Sequence, residues 1–403
     1  MVSMSGDALD TRANPLAFLE DELRDLRARG AWRWPRLLEG PQAPVSRYDG
    51  REVINLCSNN YLGLATHPAL KAAAREALER YGVGAGAVRT IAGNLQLHQE
   101  LEAELAAFKQ TEAALLFQSG FTANAGTVAA ILGKDDVVVS DELNHASIID
   151  GCRLSGAEKK IYPHGDVAAA RRLLEASRGA RRVLLVTDGV FSMDGDIAPL
   201  PDLVEAAEAY GAIMMVDDAH ASGVLGRAGR GTVDHFGLHG RVHIQVGTLS
   251  KAFAGLGGYV AGSRALVDIL MHRARPLLFS TSHPPAVAAA ALAAVRLVQQ
   301  EPQLIQRLWE NTRFFQEGLV RLGFDIGRSQ TPITPVMIGD EHRAFAFSDR
   351  LFEEGVFALG IAFPTVPRGK ARVRAIVTAA HTREHLTAAL EAFARAGRAL
   401  GVI

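Results

Sequence analysis

A doubly wound α/β fold is what the sequence predicts, on three observations. Short apolar runs of strand length recur along the 403 residues, each stopping abruptly in polar side chains. Stretches of helical periodicity separate these runs, and turn-forming residues follow them. The runs are continuous rather than alternating, as in parallel strands covered on both faces. The expected division is an N-terminal helix and strand segment over residues 1–60, a large domain over 61–290, and a smaller α+β domain over 291–403.

In chain order, residues up to about 14 are expected to be disordered, and residues 18–26 to form an amphipathic helix. Glu52-Val53-Ile54-Asn55-Leu56 reads as the first strand. Residues 101–108 are helical in pattern, and Ala114-Leu115-Leu116-Phe117 is a buried strand. Gln118-Ser119-Gly120-Phe121-Thr122-Ala123-Asn124 turns from that strand into a helix whose first NH groups suit an anion such as phosphate. Gly120 permits close approach of the backbone, and Ser119 or Thr122 offers a hydroxyl. Val137-Val138-Val139 and Val183-Leu184-Leu185-Val186 are further strands; the first runs into a polar cluster holding His145, the second into hydroxyls and carboxylates that include Ser192. Residues 203–210 are helical. An alanine-rich helix over 285–300 is expected to leave the large domain, with the remainder forming the smaller one.

Two strand ends carry the chemistry. Ile213-Met214-Met215-Val216 stops at Asp217-Asp218-Ala219-His220. In an open α/β sheet ligands bind at such carboxyl ends. A carboxylate there holds a heteroaromatic nitrogen protonated, and a histidine nearby hydrogen-bonds a ring oxygen. Asp218 follows Asp217 directly and points to the other face, a structural position. Val242-His243-Ile244-Gln245-Val246-Gly247 ends at Thr248-Leu249-Ser250-Lys251. A lysine desolvated there has a lowered pKa and becomes a nucleophile toward a carbonyl. A lysine for an aldehyde, an aspartate for a pyridine nitrogen, a histidine near a phenolic oxygen and a helix start for a phosphate together describe pyridoxal phosphate.

Longer strings carry a family resemblance: Asn59-Asn60-Tyr61-Leu62-Gly63-Leu64, Leu143-Asn144-His145-Ala146-Ser147, Asp188-Gly189-Val190-Phe191-Ser192-Met193-Asp194-Gly195, Val216-Asp217-Asp218-Ala219-His220 and Thr248-Leu249-Ser250-Lys251. Over nearly its whole length the chain resembles the α-oxoamine synthases, fold-type-I pyridoxal-phosphate enzymes that join an amino acid to an acyl-CoA. The resemblance implies Lys251 as the cofactor-bound lysine, with Gly120 and Phe121 giving amides to the phosphate and Thr248 touching it. It also implies His145 stacked on the ring, where it polarises the acyl carbonyl, alongside Ser192, Asp217 and His220. Ser280 and Thr281 match a segment reaching the phosphate of a neighbouring subunit, which implies a homodimer with shared active sites. Arg374 matches the residue gripping the substrate carboxylate, although strand alternation alone leaves Arg372 and Arg374 on one face. Thr365 and Asn59 match further substrate contacts.

Within the family, Ala87-Val88-Arg89-Thr90-Ile91-Ala92-Gly93, the segment around His145 and Arg273-Ala274-Arg275-Pro276 resemble glycine C-acetyltransferase, which condenses glycine with acetyl-CoA to 2-amino-3-oxobutyrate. The alternative is 8-amino-7-oxononanoate synthase, which takes alanine and a pimeloyl thioester and loses carbon dioxide; the arginine-rich run from Leu23 to Trp32 suits it. A dual-specificity enzyme and, more distantly, serine palmitoyltransferase are the remaining branches.

Composition narrows the partners. A net charge of -1 with 22% charged residues leaves no basic face for nucleic acid. Cys57 and Cys152 are too few for a disulfide framework or a zinc site, so no metal is expected. No G-x-G-x-x-G follows the first strand, which argues against a nicotinamide dehydrogenase. The opening residues lack an apolar signal core, and no apolar run approaches the ~20 residues of a membrane span. The expectation is a cytoplasmic enzyme without membrane contact.

Overall fold

The computed structural model describes residues 14–28 and 32–403; the disorder expected at the N-terminus falls largely on residues outside these. A seven-stranded sheet forms the centre. Its order is Ala113–Phe117, Gly258–Gly262, Ile244–Thr248, Ile213–Asp217, Val183–Asp188, Val137–Asp141 and Glu158–Tyr162. Only Gly258–Gly262 runs antiparallel to its neighbours. The fold is that of the fold-type-I transferases, as the sequence predicts.

Both faces of this sheet are covered, which is why its strands read as unbroken apolar runs. Along one strand, Ala114 and Leu116 join a cluster with helices Gln96–Lys109 and Pro285–Gln300, while Leu115 and Phe117 face helix Gly120–Ile131. Each fully buried leucine or phenylalanine stabilises the fold by roughly 1.5–3 kcal/mol. Helix Pro285–Gln300 begins and ends as the sequence predicts, but it stays with the large sheet. Its small side chains Ala288, Ala291 and Ala294 let it lie close against helices Pro68–Tyr81 and Gln96–Lys109. The crossing is made instead by helix Gln303–Leu322: Leu304 and Leu308 belong to the large core, Phe315 and Leu319 to the C-terminal one.

The C-terminal core packs beneath a second sheet, Ile333–Gly339 with Ala371–Ile376 and Leu359–Ile361. A third small sheet pairs Val45–Tyr48 with Arg51–Asn55, and the latter pairs in parallel with Val356–Phe357. The N-terminal strands are therefore tied to the C-terminal part of the chain. Helix Phe18–Ala28 forms as predicted and buries none of its residues. Among the described residues no helix is long and apolar enough to cross a membrane.

Candidate active site

Register places the chemistry. Asp188 pairs with Asp217 on adjacent parallel strands, and Asp217 pairs with Val246, two residues before Thr248. The carboxyl ends of three neighbouring strands thus open on one cavity of roughly 200 Å³. Gly120, Phe121, His145, Ser192, Asp217, His220, Thr248 and Lys251 all line it, joined by Ser147, Asp188 and Ser250. Eight residues singled out from separate parts of the sequence are brought together here.

Asp217 is buried and held at both oxygens. Oδ1 accepts the Ala219 NH at 2.7 Å, and Oδ2 accepts Asn124 Nδ2 at 2.6 Å. Asn124 also donates to Ser147 Oγ at 2.9 Å, and Ser147 Oγ lies 2.7 Å from His145 Nδ1. One hydrogen-bonded chain therefore fixes the carboxylate and the histidine relative to each other. Its middle members, Asn124 and Ser147, stand in strings read for a helix start and a family likeness, and only tertiary packing makes them neighbours. Asp218 turns away, as alternation requires, into an ion pair with the buried Lys109 at 2.7 Å. That pair anchors the turn after the strand and leaves Asp217 facing the cavity.

His220 shows why Tyr61 belongs to the site. Its Nδ1 lies 2.7 Å from the buried Tyr61 hydroxyl. Burial drives the tyrosine pKa up and keeps its proton in place, while burial and the Lys251 and Arg374 charges push the histidine well below its ordinary range. A protonated phenol donating to Nδ1 leaves the proton of a neutral imidazole on Nε2, the nitrogen available to the cavity. Tyr61 stands two residues after Asn59 in a string that carries the family resemblance, but nothing there shows that its hydroxyl meets His220.

Lys251 has its pKa lowered, chiefly by burial and further by the Arg374 charge, against the raising influence of Asp217 and Asp188. Asp188 is itself raised well above the carboxylate range by burial and by Asp217, and its Oδ2 accepts the His145 NH at 3.0 Å.

At the other end of the cavity, Ser119 caps helix Gly120–Ile131. The capping box corrects one expectation: the Ser119 and Thr122 hydroxyls are 3.1 Å apart and serve the helix end, leaving anion binding to the backbone. With the Thr122 and Ala123 NH groups taken by Ser119, those of Gly120 and Phe121 remain without an intrahelical partner. A Cβ at Gly120 would stand 3.3 Å from Thr248 Cβ and narrow this cradle. The backbone amides and the positive end of the helix dipole form a donor set suited to a phosphate, while the Thr248 and Ser250 hydroxyls at this end donate to the Gly257 carbonyl at 2.9 and 3.3 Å.

The remaining candidates lie outside the lining. Arg372 and Arg374 do share a face, and their partners separate them. Arg372 is nearly inaccessible, with Nη1 2.5 Å from Asp194 Oδ1 and 3.1 Å from Met193 O. Arg374 makes one hydrogen bond, Nη1 to Ser192 O at 2.9 Å, and its charge reaches Lys251 and His220. Arg374→Ala is accordingly expected to raise the amino-acid KM by about 10- to 100-fold, the worth of a charge-assisted pair, with cofactor uptake intact. Arg372→Ala should register mainly as lower thermal stability; steady-state kinetics and melting curves on both variants check the assignment. Asn59 is half-buried, its side-chain oxygen without a hydrogen-bond partner, and Thr365 is exposed. Ser280 and Thr281 are held through their carbonyl oxygens by Gln118 Nε2, at 3.3 and 3.1 Å.

The class I and II aminotransferase family model matches residues 51–393. An 8-amino-7-oxononanoate synthase of Symbiobacterium thermophilum is 63% identical, covering 96% of this chain and 99% of its own. The 8-amino-7-oxononanoate synthase 1 of Bacillus subtilis is 56% identical, covering 96% and 98%. Among solved structures, a serine palmitoyltransferase from S. paucimobilis with bound PLP-myriocin aldimine superimposes with a TM-score of 0.92 at 33% identity, covering 97% and 100%. These relatives do not support the expected nearness to glycine C-acetyltransferase; the strings behind it are too short to separate branches that share one active-site framework. With a family match over most of its length and such relatives over almost all of it, the chain belongs to the class I and II aminotransferase family, in its α-oxoamine synthase branch.

Proposed function

We propose that this enzyme condenses alanine with a pimeloyl thioester, with loss of carbon dioxide and release of the thiol, to give 8-amino-7-oxononanoate. The observation that carries the choice of substrates is the 63% identity to a synthase of that name across almost the entire chain. The chain is a pyridoxal-phosphate-dependent acyl-transferring enzyme. When bound, the cofactor supplies an electron sink for charge developing at the amino acid Cα.

The residues of this chain do the rest. Gly120 and Phe121 give their NH groups to the phosphate, with Thr248 beside them. Asp217, fixed by Asn124 and the Ala219 NH, holds the proton on the pyridine nitrogen. His220 would hold the ring oxygen through Nε2, and His145 and Ser192, in the same cavity lining, would hold the ring. Burial lowers the pKa of Lys251, whose Nζ would hold the aldehyde group of the cofactor and would serve as the base for the Cα proton. Arg374 orients the amino acid through its carboxylate, assisted by Asn59 and Thr365. His145, with Nδ1 engaged by Ser147, has Nε2 to polarise the thioester carbonyl. Ser280 and Thr281 serve the phosphate of a second copy in a homodimer; the neighbouring Phe279, 72% exposed, fits an interface there.

Thiol release by the purified enzyme tests the substrate choice. Pimeloyl-CoA with alanine should exceed acetyl-CoA with glycine in kcat/KM by about tenfold or more, since several buried methylenes separate the two acyl chains. The reverse order would assign the enzyme to glycine condensation, and comparable values to dual specificity.

A further inference from the structure

The ring of His164 lies between two carboxylates, one at the end of strand Val137–Asp141 and one in the loop that follows strand Val183–Asp188. Nδ1 is 3.1 Å from Asp141 Oδ1, and Nε2 is 2.8 Å from Asp196 Oδ2. An ionised carboxylate only accepts, so an imidazole serving both must carry both ring protons. The Phe191 ring meets it edge-on, with centroids 4.3 Å apart. Glu142 accepts the His164 backbone NH at 2.9 Å, and Tyr162 ends the strand that leads to it. The hydrogen bonds to Asp141 and Asp196 outweigh partial burial and raise the histidine pKa to about 10.

The two carboxylates hold the two segments that carry His145 and Ser192 to the cavity wall. Asp141 also accepts the NH groups of Leu143 and Gly165, at 2.9 and 3.0 Å, and so fixes the turn leading to His145. Asp196 closes the loop in which Ser192 lines the cavity and gives its carbonyl oxygen to Arg374. Met193 and Asp194 in the same loop hold Arg372.

We propose that His164 is a positioning residue: bridging Asp141 and Asp196, it holds the Ser192 loop against the His145 loop and thereby places Arg374 for the carboxylate of the amino acid. This rests on the proposed role of Arg374 as the carboxylate ligand. His164 stands outside the cavity lining, and its effect on substrate passes through the loop.

His164→Gln and Asp196→Asn in the full chain test it. Both are expected to raise the amino-acid KM by about tenfold, the worth of a charged hydrogen bond, with kcat changed less than about threefold and the absorbance of the bound cofactor unchanged. Thermal unfolding across pH supplies the second reading. A histidine raised from about 6.5 unfolded to about 10 folded contributes stability that is complete below the lower value and gone above the upper one. The melting difference between wild type and His164→Gln should therefore be largest near pH 6 and shrink toward pH 10. An unchanged KM with a pH-independent melting difference means plain packing and overturns the proposal. If His164→Gln fails to fold, Asp196→Asn at the more accessible end decides between the same two outcomes. Failure of the Arg374 reading would appear separately, as an Arg374→Ala variant with the wild-type amino-acid KM, and the pH-dependent melting would still judge the bridge.

Discussion

Lys251→Ala is expected to abolish turnover, by on the order of a thousandfold or more, and to remove the absorbance of lysine-bound cofactor. The size of the effect follows from place. Lys251 follows the Ile244–Thr248 strand into the cavity shared with Asp217 and His145, and burial has already lowered its affinity for a proton. An ammonium is no nucleophile, so this desolvation, by lowering the pKa, favours the reactive amine. Truncation removes both the attacking amine and the base for the Cα proton. The fold should survive, because Lys251 carries none of the core. Borohydride trapping of wild-type protein followed by peptide mapping checks the same assignment; a label on another peptide, or normal turnover in the variant, sinks it.

Asp217→Asn should be nearly as damaging, lowering kcat by on the order of 100-fold or more and weakening cofactor binding by about 10- to 100-fold. The substitution keeps the shape of the side chain and an oxygen for the Ala219 NH or for Asn124, so stability should change little. What it loses is the charge that keeps a pyridine nitrogen protonated in a buried setting, and with it the sink for charge at Cα. A neighbouring carboxyl is close enough to suggest a substitute: Asp188 lies one strand away at the same level of the sheet. Burial, the larger cause of the raised Asp188 pKa, persists without the Asp217 charge, and Asp188 accepts the His145 NH, so it cannot simply take over. Steady-state kinetics and cofactor titration decide this; a variant with kcat within about threefold of wild type would show that the ring nitrogen is held elsewhere.

Much of the architecture and most of the site were legible in the residues. A strand covered on both sides has no polar face, so runs such as Val183-Leu184-Leu185-Val186 announce the parallel sheet, and their abrupt polar ends announce where ligands lie. Lys251, Asp217, His220 and His145 could be chosen because each stands at such an end. Branch assignment was the weak point: the motifs hold the cofactor, which all branches share, whereas acyl length is set by pocket shape spread thinly over the chain.

The sequence by itself determined the elements, their order and the residue types the chemistry needs, because periodicity and strand termini are properties of neighbours along the chain. Only the tertiary structure decided which distant groups meet: Tyr61 with His220, Asn124 between Ser147 and Asp217, His164 between Asp141 and Asp196. It also separated Arg374 from Arg372, two side chains on one face of one strand, by giving the buried Arg372 side chain the Asp194 carboxylate and the Arg374 side chain only the Ser192 carbonyl among the described residues. Hydrogen bonding and burial depend on register and packing between strands, and no local pattern encodes them.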